Sequence, residues 1–134
     1  MSQENVESFK RAAEAFKRGD IEATLAELDP ELEWHPGMAA LVGGKTVYRG
    51  HEGYRELRRD LDDAFGEIDT EYSEIRDLGD RVLAIGRIHT RGKASGAETH
   101  SPYCLLGAFK DGRAIQVWTF LDHGEALEAA GLSE

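Results

Sequence analysis

The sequence is short of cysteine, of basic charge and of long apolar runs, and each shortage excludes something. Its single cysteine, Cys104, cannot form an internal disulfide or a cysteine zinc site, which fits a reducing compartment. A free cysteine of this kind usually packs as a small hydrophobe. Sixteen Lys and Arg against 26 Asp and Glu leave a formal charge of −10. That balance provides no basic footprint for nucleic acid or for an anionic membrane surface. No apolar run approaches the roughly 20 residues that cross a bilayer. The N-terminal "MSQENVESFKRAAEAF" lacks the basic, apolar, small-residue order of a secretory signal, so a cytoplasmic location is expected. The histidines at 35, 51, 89, 100 and 123 are dispersed without metal-ligand spacing, and no glycine-rich phosphate loop joins a strand to a helix. Neither a metal nor another cofactor is expected.

What is present is patterned apolar residue, 40% of a 134-residue chain, enough for one domain over 1–134 with its own core. Val6, Phe9, Ala13 and Phe16 recur at helical spacing between Ser2, a candidate cap, and Gly19. Asp20 can cap a second helix carrying Ile21, Leu25 and Leu28, which Asp29-Pro30 would end. Leu32 and Trp34 alternate with Glu33 and His35 in a short strand, and "PGMAALVGGKTVYRG" reads as a glycine-rich loop. A third helix runs from about His51 to Phe65 with Tyr54, Leu57, Leu61 and Phe65 on one stripe. From Ile68 the period changes to two, giving an antiparallel meander of four strands with turns at "GD", "GKASG" and "DG". Asp122 and Glu125 have the spacing of a capping box for a short final helix. Helices followed by strands indicate an α+β domain with the helices against one sheet face.

Strand phase then assigns faces. A two-residue Asp111-Gly112 turn would set Leu106 opposite Val117 and Cys104 opposite Thr119 on the helix-facing side. Tyr103, Trp118 and Phe120 would share the other side, an aromatic patch best covered by a second copy of the chain. A five-residue "GKASG" loop would set Ile88 opposite His100, both facing the helices, unless Pro102 introduces a bulge.

The order of these elements, with "GDIEA" at 19–23, "EWHPG" at 33–37, "YRG" at 48–50 and "LDHGEALEAAGL" at 121–132, resembles the SnoaL-like proteins of the nuclear transport factor 2-like superfamily. The resemblance implies a cone-shaped fold, a curved antiparallel sheet wrapped around three N-terminal helices with a short C-terminal helix. It also implies an internal pocket and, commonly, a homodimer through the convex sheet face. Members include polyketide cyclases and ketosteroid isomerases. The isomerase set is missing: Ala12 falls where a tyrosine would stand, Trp34 where the base would be, and Leu106 where the oxyanion-holding aspartate would be.

The expected function is therefore binding of a small, mostly apolar organic molecule in the cone, with Trp34, Tyr54, Cys104, Thr119 and His35 as contacts. If there is catalysis of a cyclase, isomerase or hydrolase type, His100 is the candidate general base, because imidazole titrates near neutrality. A non-catalytic dimerisation module with a filled cone is the remaining alternative.

Overall fold

The computed structural model describes residues 2–37 and 44–132. Helix α1 (Ser2–Arg18) leads through Gly19 (φ +71°) into α2 (Ile21–Leu25), whose first turn is capped by Asp20, the Ala23 amide donating to its Oδ1 at 3.0 Å. Strand β1 (Leu28–His35) follows, then β2 (Tyr48–Arg49), α3 (Gly50–Ala64), β3 (Phe65–Asp77), β4 (Arg81–Gly92), β5 (Glu98–Lys110), β6 (Arg113–Phe120) and α4 (His123–Ala129). Helix α2 is shorter than its apolar spacing suggests. Leu28 begins the strand instead, because Asp29 and Pro30 favour extended backbone and Asp29 Oδ1 accepts the Glu31 amide at 2.8 Å. Residues 38–43 of the glycine-rich stretch lie outside the described residues, and Tyr48–Arg49 near its end form β2.

The six strands form one sheet in the order β2-β1-β6-β5-β4-β3, antiparallel except where β1 runs parallel to β6. β3 to β6 make the expected meander. α1 and α3 pack on the concave side. Phe9 joins Val82 and Ala84 there, and Leu25, Leu28, Leu32, Leu57, Leu61 and Val117 make a second buried group. Tyr48 is fixed among them: its hydroxyl donates to Asp60 Oδ2 at 2.5 Å and accepts the Lys45 amide at 3.0 Å.

Two register details reverse the expected faces. The β5–β6 hairpin starts as an Asp-Gly turn dictates, with φ of 52° and 78° and Lys110 opposite Arg113, and Phe109 sits opposite Ala114. The ladder then skips Ile115, so Ala108 faces Gln116, Leu106 faces Trp118 and Cys104 faces Phe120. One extra residue turns every later side chain to the opposite side. At the other end of β5, Ala97 joins the loop: the Gly92 amide donates to Ala97 O at 2.9 Å, and Ile88 faces Ser101 while His89 faces His100. Pro102 pairs with Arg87 without a shift.

Tyr103 and Leu105 therefore point into the cone with Val117 and Thr119. Cys104, Leu106, Trp118 and Phe120 point outward, and this outer patch is packed against α4 through Ala126, Leu127 and Ala130. The chain's own last helix, capped by Asp122 Oδ1 on the Glu125 amide at 2.9 Å, covers part of the face that strand phase reserved for a second subunit.

Candidate functional site

The concave side of the sheet and the helices leave two adjoining hollows between them. The larger is walled by Phe9, Ala12 and Phe16 of α1, by Thr70 and Tyr72 of β3, and by Tyr103, Leu105, Gly107 and Phe109 of β5. Trp34, Tyr54 and Val117 also belong to its wall. The centres of water-sized molecules can occupy about 70 Å³ of it, and the space between its wall atoms, including its mouth, is about 650 Å³. By the first measure one water needs only roughly 10–15 Å³, so the hollow is more than a packing defect. The smaller hollow shares Phe16, Trp34, Tyr54 and Tyr103 as a partition and extends past Arg58, Leu61, Ile68, Ile88 and Thr119 to Pro36.

Aromatic rings set the shape. Trp34 on β1 and Tyr54 on α3 meet with centroids 5.5 Å apart at 53°. Tyr72 lies between Phe9, edge-on at 5.1 Å and 73°, and Tyr103 at 6.3 Å. Such tilted contacts suit the ring quadrupoles.

Polar groups are few, and their protonation is fixed by where they sit. Burial pushes the hydroxyls of Tyr54, Tyr72 and Tyr103 above the ordinary tyrosine range; at Tyr54 the nearby Arg58 charge opposes this and at Tyr103 Thr119 does. These hydroxyls therefore remain hydrogen-bond donors at any physiological pH. Glu27 reaches the wall from the α2–β1 joint, held by Arg11 Nε on Oε2 at 2.8 Å, Arg11 Nη2 on Oε1 at 3.0 Å and Ser8 Oγ on Oε1 at 2.8 Å. The bond from Arg11 lowers its pKa, so Glu27 is a poor proton acceptor. Since its folded pKa lies below its unfolded one, the contact stabilises the protein above the unfolded value and the gain is lost as pH falls through the folded value. Glu27→Gln is expected to flatten the acid limb of a stability-versus-pH curve below about pH 4.5, the ordinary carboxylate range. An unchanged limb by urea denaturation would refute it.

The residues singled out from the sequence divide between two faces. Trp34, Tyr54 and Thr119 line the hollows, Thr119 with Oγ1 accepting the Gly37 amide at 2.8 Å. Cys104 is buried on the outer side beneath α4, because the ladder skips Ile115. His35 is also outside, stacked on Trp118 at 5.5 Å and 8°, with Nε2 3.7 Å from Glu33 Oε1. His100, the candidate base, is exposed on the convex side, stacked on His89 at 4.4 Å; His89 Nε2 bonds Glu98 Oε1 at 2.9 Å. The longer loop after Gly92 puts it there, so it does not enter the cone. Tyr103 moves the other way, from the expected dimer face into the cavity. Leu106 leaves the inner face too, and its neighbour Leu105 takes that side with no acid. Among the described residues no cluster of three or more His, Cys, Asp or Glu side chains could hold a metal ion.

Tyr72, Glu27 and Arg58 were not singled out by sequence reasoning. Tyr72 had a signal in its strand phase with Thr70, whereas no pattern separates Glu27 and Arg58 from the chain's other charged residues.

A family model described as a SnoaL-like domain matches residues 9–117. No curated protein matches the sequence. Among solved structures, a nuclear transport factor 2-like protein of unknown function from Burkholderia pseudomallei is 21% identical with a TM-score of 0.82, covering 93% of this chain and 95% of that one. TerC, co-crystallized with polyporic acid, is 22% identical with a TM-score of 0.81 over 93% of this chain and 96% of its own. A candidate SnoaL-like polyketide cyclase from Jannaschia sp. is 17% identical with a TM-score of 0.77 over 98% and 94%.

Proposed function

Because the chain belongs to the SnoaL-like domain family, we propose that it binds a small, mostly apolar, ring-containing organic molecule inside the cone. The observation that carries this is the larger hollow, an aromatic-walled space provided with tyrosine hydroxyls that stay protonated. Apolar walls with a few fixed donors are the usual make-up of a small-molecule site. TerC, of similar fold, was co-crystallized with polyporic acid, which supports an organic ligand. The open hollow also weighs against a purely structural module with a filled core.

Catalysis through His100 finds no support, since that imidazole is outside. Among the described residues the hollow holds donors but no group poised to take a proton near neutrality. The arrangement favours holding a ligand oxygen over abstracting a proton. A thermal-shift screen of lipophilic aromatic carbonyl compounds tests the reading: bound ligand raises the melting temperature with concentration. No stabilisation by any compound would overturn it.

A homodimer through the convex face belongs to the same proposal, with a revised membership. Trp118 and Phe120 remain there, half-buried beside α4, while Tyr103 is not part of it. Light scattering after gel filtration is expected to give twice the chain's mass, and a monomer at micromolar concentration would refute the interface. A cytoplasmic setting remains an expectation, consistent with one buried free cysteine and with no helix among the described residues being long and apolar enough to cross a membrane.

A further inference from the structure

The smaller hollow contains a group that binding an apolar molecule leaves unexplained. Arg58 forms part of its wall, and the Nη1 atom of that guanidinium is buried with no hydrogen-bond partner among the described residues. The second terminal nitrogen, Nη2, makes a long 3.3 Å contact with Asp62 Oδ1, on a side chain that is 57% exposed. The guanidinium carbon lies 4.6 Å from the centroid of the Phe16 ring, and the Arg58 side chain is 14% exposed. A guanidinium cannot shed its proton to escape burial, so an unpaired N–H of this kind costs stability until something accepts from it. The stretch 38–43, which follows Pro36 and Gly37, contains no carboxylate in its sequence.

We propose that Arg58 Nη1 is the anchor for an anionic oxygen of the ligand, a carboxylate or an ionised phenol or enol. The ligand's ring system would lie across the partition formed by Trp34, Tyr54 and Tyr103. This rests on the reading that the cone binds a small organic molecule, and it names the class: a conjugated, planar organic acid. The setting fits that class, because Arg58 belongs to the wall of the smaller hollow, which shares Phe16, Trp34, Tyr54 and Tyr103 with the larger one, and the other wall residues are mostly apolar. The chain's overall charge of −10 repels anions, so any preference for an acid over its neutral analogue has to come from a local cation.

The test is calorimetric titration of 2-naphthoate and of uncharged 2-naphthamide at pH 7 into the wild type, Arg58→Met and Arg58→Lys. The wild type is expected to prefer the acid by roughly ten- to hundredfold, the range for a hydrogen bond to a charged group. Arg58→Met is expected to lose the preference for the acid over the amide. Arg58→Lys is expected to keep part of it. Without ligand, Arg58→Met is expected to melt at or above the wild type, since the unpaired donor is gone. Equal affinity of the wild type for acid and amide overturns the anion anchor alone. So does a preference that survives in Arg58→Met, or a ligand-free Arg58→Met that melts well below the wild type, which would mean that a protein group already satisfies Nη1. If neither probe binds, the reading of the cone as a ligand site fails, and the anchor with it.

Discussion

Gly86→Ala is expected to lose about 3 kcal/mol of folding stability, in the upper range for forcing extra volume into a packed interior. Gly86 lies on β4 opposite Tyr72, immediately before the ladder shifts register between Tyr72 and Glu74. A Cβ there would overlap the carbonyl oxygen of Glu71 and come within 2.8 Å of both Glu71 C and Tyr72 Cα. All three are backbone atoms, so no rotamer change relieves the clash and the strands themselves must separate. Two further contacts depend on this approach. His123 Nε2 lies 3.0 Å from Gly86 O, which ties α4 to the sheet, and the Tyr72 and Tyr103 rings meet beside the missing side chain. Urea denaturation measures the effect, and a loss under about 0.5 kcal/mol, the size of an ordinary surface change, would contradict the close approach.

Ala12→Phe is expected to abolish ligand binding, weakening the affinity for any compound found in the thermal-shift screen by roughly a hundredfold or more, about 2.7 kcal/mol. Ala12 is on α1 and lines the larger hollow together with Ser8 and Phe16. A phenyl group would take up the space that water-sized molecules can now occupy. Because it fills an existing void with apolar atoms, the variant should fold, and its ligand-free melting temperature should equal or exceed that of the wild type. A variant that is stable and binds as before would show that the ligand sits elsewhere. The position matters in another way: the resemblance to ketosteroid isomerases places a tyrosine there, and the small residue here leaves room where those enzymes keep a donor.

Local chemistry made much of the fold legible. Asp20 and Asp122 accept amides from the first turns of their helices, Asp111-Gly112 adopts the two positive φ values that a tight hairpin requires, and the change from a period near 3.6 to a period of two after α3 marks where helices give way to strands. These features depend on residues within a few positions of one another, so the sequence alone carries them. It likewise determined that Trp34 and Glu33 point to opposite sides, because alternation along one strand needs no partner.

Which face of β5 looks inward was decided only in the folded molecule. The skip at Ile115 and the inclusion of Ala97 in the preceding loop are each a single residue, yet because strand side chains alternate with a period of two, each reverses every assignment beyond it. That is why His100 and Cys104 ended outside and Tyr103 inside. Neither irregularity has a local signature strong enough to read in advance. They are selected by contacts between distant segments, the packing of α4 on Leu83, Ile85 and Leu106 on one side and the aromatic lining on the other. Arg58 shows the same limit: in sequence it is one charge among several on α3, and only in the folded molecule, where α3 packs against α1 and the sheet, is its Nη1 buried and without a partner among the described residues.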